Sequence, residues 1–244
     1  MRAVTQQNVP APLERILVVA AHPDDVDFGA AASIAAWTRS GVQVSYCILT
    51  DGDAGGFDEA ISRADMAALR RREQTAAAAE VGVTDIHWLA HPDGRLLPSI
   101  ELRRDISRVI RQVRPQRVVT QSPIRNFQRI FASHPDHLAC GEATLCAVYP
   151  DARNPFAHPE LLEEGWKEHT VAEVWLMGGP DPDTFVDCTE TFDRKVAALR
   201  SHVSQVGHRE DLEEMLRGWM TATAQAQGLP EGHLAEGFRI VPTA

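Results

Sequence analysis

Apolar runs and amphipathic segments alternate along the first half of the chain. Residues 16–21 form a continuous, β-branched apolar run, the pattern of a parallel strand buried on both faces. Residues 29–40 are alanine-rich and stop at Gly41, which predicts a helix. A second strand is expected over 42–50, and a Gly/Asp-rich loop over 51–59. A long helix over 62–81, with an arginine cluster, ends at Gly82. Residues 85–90 read as a third strand, 100–113 as an amphipathic helix ended before Pro115, and 117–121 as a fourth strand. This repeated strand–helix order predicts an α/β fold, Rossmann-like and three-layered, with a mostly parallel sheet.

The pattern is less regular beyond Ser122. A helix is expected to start around residues 135–137 and run to 148. Strand patterns recur at 171–177 and 184–188, and helical ones at 192–203 and 209–227. The Pro-rich stretch 150–159 reads as a crossing loop and not as a boundary. We therefore expect a single domain over 1–244, with 1–12 flexible and 209–244 a C-terminal helical tail.

Composition narrows the class. With 44% hydrophobic and 24% charged residues, the 244-residue chain has the make-up of a soluble globular protein. A net charge of −10 and a pI of about 5.4 lack the basic footprint of a nucleic-acid binder. Cys47, Cys140, Cys146 and Cys188 show no CxxC pair, so they read as buried or inert thiols in a reducing compartment. The N-terminus lacks the apolar core of a signal peptide, and no apolar run approaches a membrane span. A cytoplasmic location is the expectation.

In an open α/β sheet, ligands bind beyond the carboxyl ends of the strands. The four loops that leave those ends carry His22-Pro23-Asp24-Asp25, Asp51-Gly52-Asp53, His91-Pro92-Asp93 and Ser133-His134-Pro135-Asp136-His137. Ten histidines scattered by chance would not favour one edge of a sheet. His22 and Asp25 flank a tight turn, and His137 can join them from the fourth loop. Two imidazoles and a carboxylate suit a catalytic zinc ion that keeps a position open for water. Asp24 must point away from its ligand neighbour, where it can serve as a general base. His134, three residues before His137, can donate to the oxyanion that develops on an attacked carbonyl.

Blander readings exist for each half. Asp is a good helix N-cap, so a His-Pro-Asp turn alone can be a capped helix start. Asp51 and Asp53 fit a turn first, and the Gly52–Gly56 loop is no dinucleotide fingerprint. Two His and a carboxylate also form the facial triad of non-haem iron oxygenases, a metal-dependent phosphoesterase would want more ligands, and a metal-holding binding domain needs neither Asp24 nor His134.

The paired motifs, Ala21-His22-Pro23-Asp24-Asp25 and His134-Pro135-Asp136-His137, resemble the two signatures of the PIG-L/LmbE-like family of zinc-dependent N-deacetylases. The resemblance runs over roughly residues 15–205. It implies one Zn2+ per chain held by His22, Asp25 and His137, with Asp24 as general base and protonated His134 as electrostatic stabiliser. It also implies substrate contacts. In the run Arg70-Arg71-Arg72-Glu73, Arg71 is favoured, although the run can also be a solvated helix face. Asp93 is similar to a family aspartate that binds sugar hydroxyls. His202, in Ser201-His202-Val203-Ser204-Gln205, is placed at the rim of the site. The implied activity is removal of an N-acyl, chiefly N-acetyl, group from an amino sugar or its conjugate, with metal-bound water as nucleophile. The alternative is an amidase on a thiol conjugate or another small amide. The partner is then a small N-acylated molecule, with the oligomeric state left open.

Overall fold

The computed structural model describes residues 12–244. Apart from Pro12, the expectation of a flexible start lies outside these residues. The elements are β1 (Arg15–Ala20), α1 (Asp25–Arg39), β2 (Gln43–Thr50), α2 (Arg63–Glu80), β3 (Asp85–His91), α3 (Ile100–Val113) and β4 (Arg117–Gln121). They continue with α4 (Pro135–Cys146), α5 (Pro159–Glu163), β5 (Glu173–Met177) and β6 (Thr184–Asp187). The last are α6 (Phe192–Arg200), α7 (Val203–Val206), α8 (Leu212–Ala226) and β7 (Ala235–Pro242).

One seven-stranded sheet has the order β3-β2-β1-β4-β5-β7-β6. The pairs from β3 through β5 are parallel, and β7 is antiparallel to both β5 and β6. The expected three-layer α/β fold is therefore present. Strand β1 explains why. Ile16, Val18 and Ala20 pack with α1, α2 and α6 on one face, while Leu17 and Val19 pack with α3 and α4 on the other. Both faces are out of water, so the run has no polar alternation to show. A smaller cluster, built from Phe192, Leu199, Leu212, Leu216 and Met220, docks α8 against α6.

Two elements differ from expectation. Helix α1 begins at Asp25 and not near Gly29, because Asp24 acts as its N-terminal boundary and Asp27 N and Phe28 N already bond to Asp24 O. The C-terminal segment is not wholly helical: after α8 it returns as β7, which separates β6 from β5. Ile240 and Val241 on β7 carry the β-branched signal, but the strand opens on Ala235-Glu236-Gly237, which has none.

Strand order reverses between β1 and β4, so a crevice opens at their carboxyl ends. Gln121 at the end of β4 closes its floor, its Oε1 accepting the Ala21 N–H at 3.0 Å. Helix α4 approaches β4 at Gly141, where a Cβ would collide with the Gln121 carbonyl oxygen and lie 2.8 Å from Pro123 N. Replacing Gly141 by Ala gains about 1 kcal/mol of helix propensity. The clash is backbone against backbone and cannot relax by a side-chain rotation. We expect Gly141→Ala to lose a net ~1–3 kcal/mol, as overpacking does, read as a lowered denaturant midpoint.

Candidate active site

The first turn of α1 and the first turn of α4 face each other across the crevice. Asp24 adopts a left-handed backbone, φ 85°, ψ −28°. For a residue with a Cβ this costs roughly 1–2 kcal/mol, so the surroundings must hold it. It lets consecutive carboxylates diverge. Asp25 turns back to His22, its Oδ2 accepting the His22 backbone N–H at 2.7 Å and lying 3.1 Å from His22 Nδ1. Its Oδ1 lies 2.9 Å from His137 Nε2. His22, Asp25 and His137, expected from sequence as a ligand set, thus come together.

The His137 ring is fixed through one nitrogen. Its Nδ1 donates to the Ala132 carbonyl at 3.3 Å, which leaves Nε2 facing the cluster. Burial works against charge on His137, but Asp25 outweighs it and raises its pKa. Burial likewise opposes ionisation of Asp25, yet the His137 and His22 rings hold its carboxyl well below the usual carboxylate range.

His22 is the centre. Its Nε2 lies 3.1 Å from Asp93 Oδ1 and 3.2 Å from Asp136 Oδ2. Burial lowers the pKa of its ring, but Asp25, Asp136 and Asp93 overcome that and push it up to about 12. Two donor groups meet at this ring, His22 with His134 and His137, and His22 with Asp93 and Asp136, each with donor atoms within 4.8 Å of one another. Carboxylates in excess of cations, together with imidazoles turned by backbone bonds, are the donor chemistry of a divalent metal site. The residues fit such an ion.

His134 stands beside the cluster, its ring 5.0 Å from that of His22 and 5.3 Å from that of His137. Its Nδ1 accepts the Asp136 N–H at 3.2 Å and caps α4. The proton of the neutral ring is thereby assigned to Nε2. Burial, with the charges on His22 and His137, lowers its pKa. With Nδ1 accepting, this bond fits a neutral imidazole, whereas the expectation from sequence is a protonated one.

Asp24 turns its carboxylate to Arg70 instead. Arg70 donates from Nη2 to Asp24 Oδ2 at 3.2 Å and to the Pro23 carbonyl at 2.6 Å, and from Nη1 to Gly52 O at 3.0 Å. Burial raises the Asp24 pKa and Arg70 opposes it, with the balance at about 6. Gly52 makes the space: a Cβ there would lie 2.5 Å from Arg70 Nη1. The Gly/Asp loop after β2 thus houses an arginine.

Three residues expected to contact substrate have partners within the chain. Arg71 is not drawn into the cluster; its guanidinium is held by Asp51 at 2.6 and 2.8 Å and lies over Trp88. Arg70, one residue earlier on α2, is the buried site arginine. His202 is not at the rim: it is fully buried, with Nε2 2.8 Å from Asp27 Oδ2. Asp93 is buried against His22, not presented as a free sugar ligand, and its Oδ2 accepts the Ala54 N–H. Asp136 was missed, although it lies between two chosen histidines. It binds His22 while accepting the Gly94 and Leu96 N–H groups, which ties the loop after β3 to α4.

A cavity of about 420 Å³ opens from Asp25 and His137, walled by Phe28, Phe131, Met177 and Trp219, with Arg129 among its lining. The Phe131 and Trp219 rings stack at 6.1 Å and 19°, and the Arg129 guanidinium lies over both. Trp219, on α8, lies outside every motif that the sequence singles out.

Comparison with known proteins agrees with this geometry. Residues 17–148 match the family model for PIG-L, the GlcNAc-PI de-N-acetylase. The chain is 32% identical to the diacetylchitobiose deacetylase of Thermococcus kodakarensis, over 94% of this chain and 84% of that protein. It is 31% identical to a probable N-acetyl-α-D-glucosaminyl L-malate deacetylase of Bacillus subtilis, over 84% and 89%. The structure of the N,N'-diacetylchitobiose deacetylase from Pyrococcus horikoshii superposes with a TM-score of 0.86 at 30% identity, covering 94% of this chain and 84% of that one. With the model match spanning the loops that carry both His-Pro-Asp motifs, the chain belongs to the PIG-L family of de-N-acetylases.

Proposed function

We propose that the protein is a zinc-dependent hydrolase that removes the N-acetyl group from an amino sugar or an amino-sugar conjugate. The observation that carries this reading is the divergence of Asp24 from Asp25: one carboxylate joins His22 and His137, and the next stays off them, paired with Arg70. A binding site for metal alone has no need of the second. The relatives in the family act on N-acetylated glucosamine derivatives by name, which supports an amino-sugar acetamide as substrate. His22, Asp25 and His137 are the residues that would hold one zinc ion. Bound there, such an ion supplies Lewis-acid polarisation of a carbonyl and a lowered pKa for water.

The chain's own residues divide the remaining work. Arg70 occupies Asp24 Oδ2, so Oδ1 is the atom left to take the proton of the attacking water. His134, held as a neutral donor by its own Nδ1 bond, offers Nε2–H to the oxygen on which negative charge develops. Asp24 then returns its proton to the nitrogen of the breaking amide bond. Acetate and a free amine result, with one water consumed. Phe131 and Trp219 offer flat apolar faces to the C–H side of a sugar ring, while Phe28 and Met177 exclude water from the reacting end.

Three outcomes test the reading. First, with N,N'-diacetylchitobiose or N-acetylglucosamine as substrate and release of free amine as the signal, Asp24→Asn should retain bound zinc and lose roughly 10²–10⁴-fold in kcat. Near wild-type turnover in the zinc-loaded variant would remove Asp24 as base. Second, Arg71→Ala should leave kcat close to wild type, because its pair with Asp51 is half-exposed and worth little. Arg70→Ala should lower kcat, and equal effects of the two would contradict the assignment. Third, Trp219→Ala should raise KM by roughly 2–12-fold, the worth of one aromatic contact, at nearly unchanged kcat, as loss of uniform binding does.

A further inference from the structure

Helix α2 turns a buried polar face toward the Pro23–Asp27 segment. Arg70, Glu73 and Gln74 lie on it, three and four residues apart and therefore side by side. Buried polar groups need partners, and each of these has found one that bears on the site. Gln74 is fully buried. Its Oε1 accepts the backbone N–H of Asp24 at 2.8 Å, and its Nε2 donates to Asp27 Oδ2 at 2.9 Å. Only this orientation of the amide makes both bonds. Asp27 Oδ2 also meets His202 Nε2 at 2.8 Å. Two residues beyond His202, Ser204 gives its N–H and its hydroxyl to Glu73 at 2.7 and 2.6 Å.

These bonds close a ring. It runs from Asp24 through Gln74, Asp27 and His202 to Ser204, and back through Glu73 to α2. Asp24 stands next to Asp25, paired with Arg70, and it is also the member with a left-handed backbone. A residue with a Cβ stays in that conformation only where the surroundings over-determine it. Gln74 takes its N–H from one side while Arg70 takes its carboxylate and the Pro23 carbonyl from another.

We propose that Gln74 is a positioning residue for Asp24, and that the Asp27–His202 pair braces Gln74 in turn. His202 is then a strut in the protein interior and has no contact with substrate. The segment around residue 202 serves the reaction by fixing where the Asp24 carboxylate stands. The proposal rests on the reading of Asp24 as general base.

The test uses the zinc-loaded, full-length protein and an N-acetylglucosamine substrate. Gln74→Leu keeps the volume and removes both bonds. Its kcat should fall by roughly 10- to 100-fold, the scale on which a misplaced catalytic group loses rate. Its KM should stay within about threefold, since ground-state binding is untouched, and its zinc content should equal that of the wild type. His202→Ala should lose part of the same rate, and His202→Gln, which keeps a donor near the position of Nε2, should recover most of it. This pair decides the matter if Gln74→Leu folds poorly. Wild-type kcat in both Gln74→Leu and His202→Ala, beside an inactive zinc-loaded Asp24→Asn, overturns the proposal and leaves the base in place. Full turnover in Asp24→Asn overturns the base and the proposal together. Zinc lost in step with activity, or His202→Gln no better than His202→Ala, shows a merely structural role and also overturns it.

Discussion

Three carboxylates press on one imidazole, and the site depends on that crowding. Asp25, Asp93 and Asp136 all lie 3.1 to 3.2 Å from the ring nitrogens of His22. Buried like charges this close repel strongly unless a cation stands among them. A proton on His22 meets the demand in part, which is why its pKa climbs to about 12 against the pull of burial. In the proposed function, a zinc ion held by His22, Asp25 and His137 would add positive charge on the Asp25 side of the ring. The same crowding fastens three separate pieces of chain: the turn after β1, the loop after β3 and the start of α4.

The sheet order makes the crowding possible. β1 and β4 are neighbours at the point where the order reverses, so their loops leave side by side with a helix on either face. Gln121 bonded to Ala21, and Gly141 letting α4 approach β4, set the spacing between the two motifs. Around this frame the residues do different work through small differences of direction. Asp25 is turned inward and Asp24 outward by one left-handed residue. His137 bonds a carbonyl through Nδ1 and faces the cluster with Nε2, whereas His134 spends Nδ1 as an acceptor and keeps Nε2–H as a donor.

The parts of this that were legible in the sequence are local. His22, Asp25 and His137 sit in short motifs after apolar runs, and a turn after a strand has little choice of where to point. Arg70 was not legible, because three adjacent arginines leave the phase of α2 to decide. The buried positions Met66, Arg70, Glu73, Gln74, Ala77 and Ala78 do follow a helical stripe, but half of them are polar and disguise it. His202 resembled a rim residue because its partner Asp27 lies far from it in sequence and its burial depends on α6 docking over α1 and α7 over α2. The strand β7 was hidden by its Ala-Glu-Gly start; there Glu236 faces inward to Lys195 at 2.6 Å and to the N–H groups of α1, a use of a carboxylate that no pattern of apolar residues predicts.

The most direct test of the central claim is anomalous diffraction at the zinc edge from crystals of the zinc-loaded protein. The account predicts one strong peak per chain, bounded by His22, Asp25 and His137, with Asp24 and His134 beside it but not ligating. A peak between His22, Asp93 and Asp136 with Asp25 left free, or no peak in this crevice at all, would contradict it.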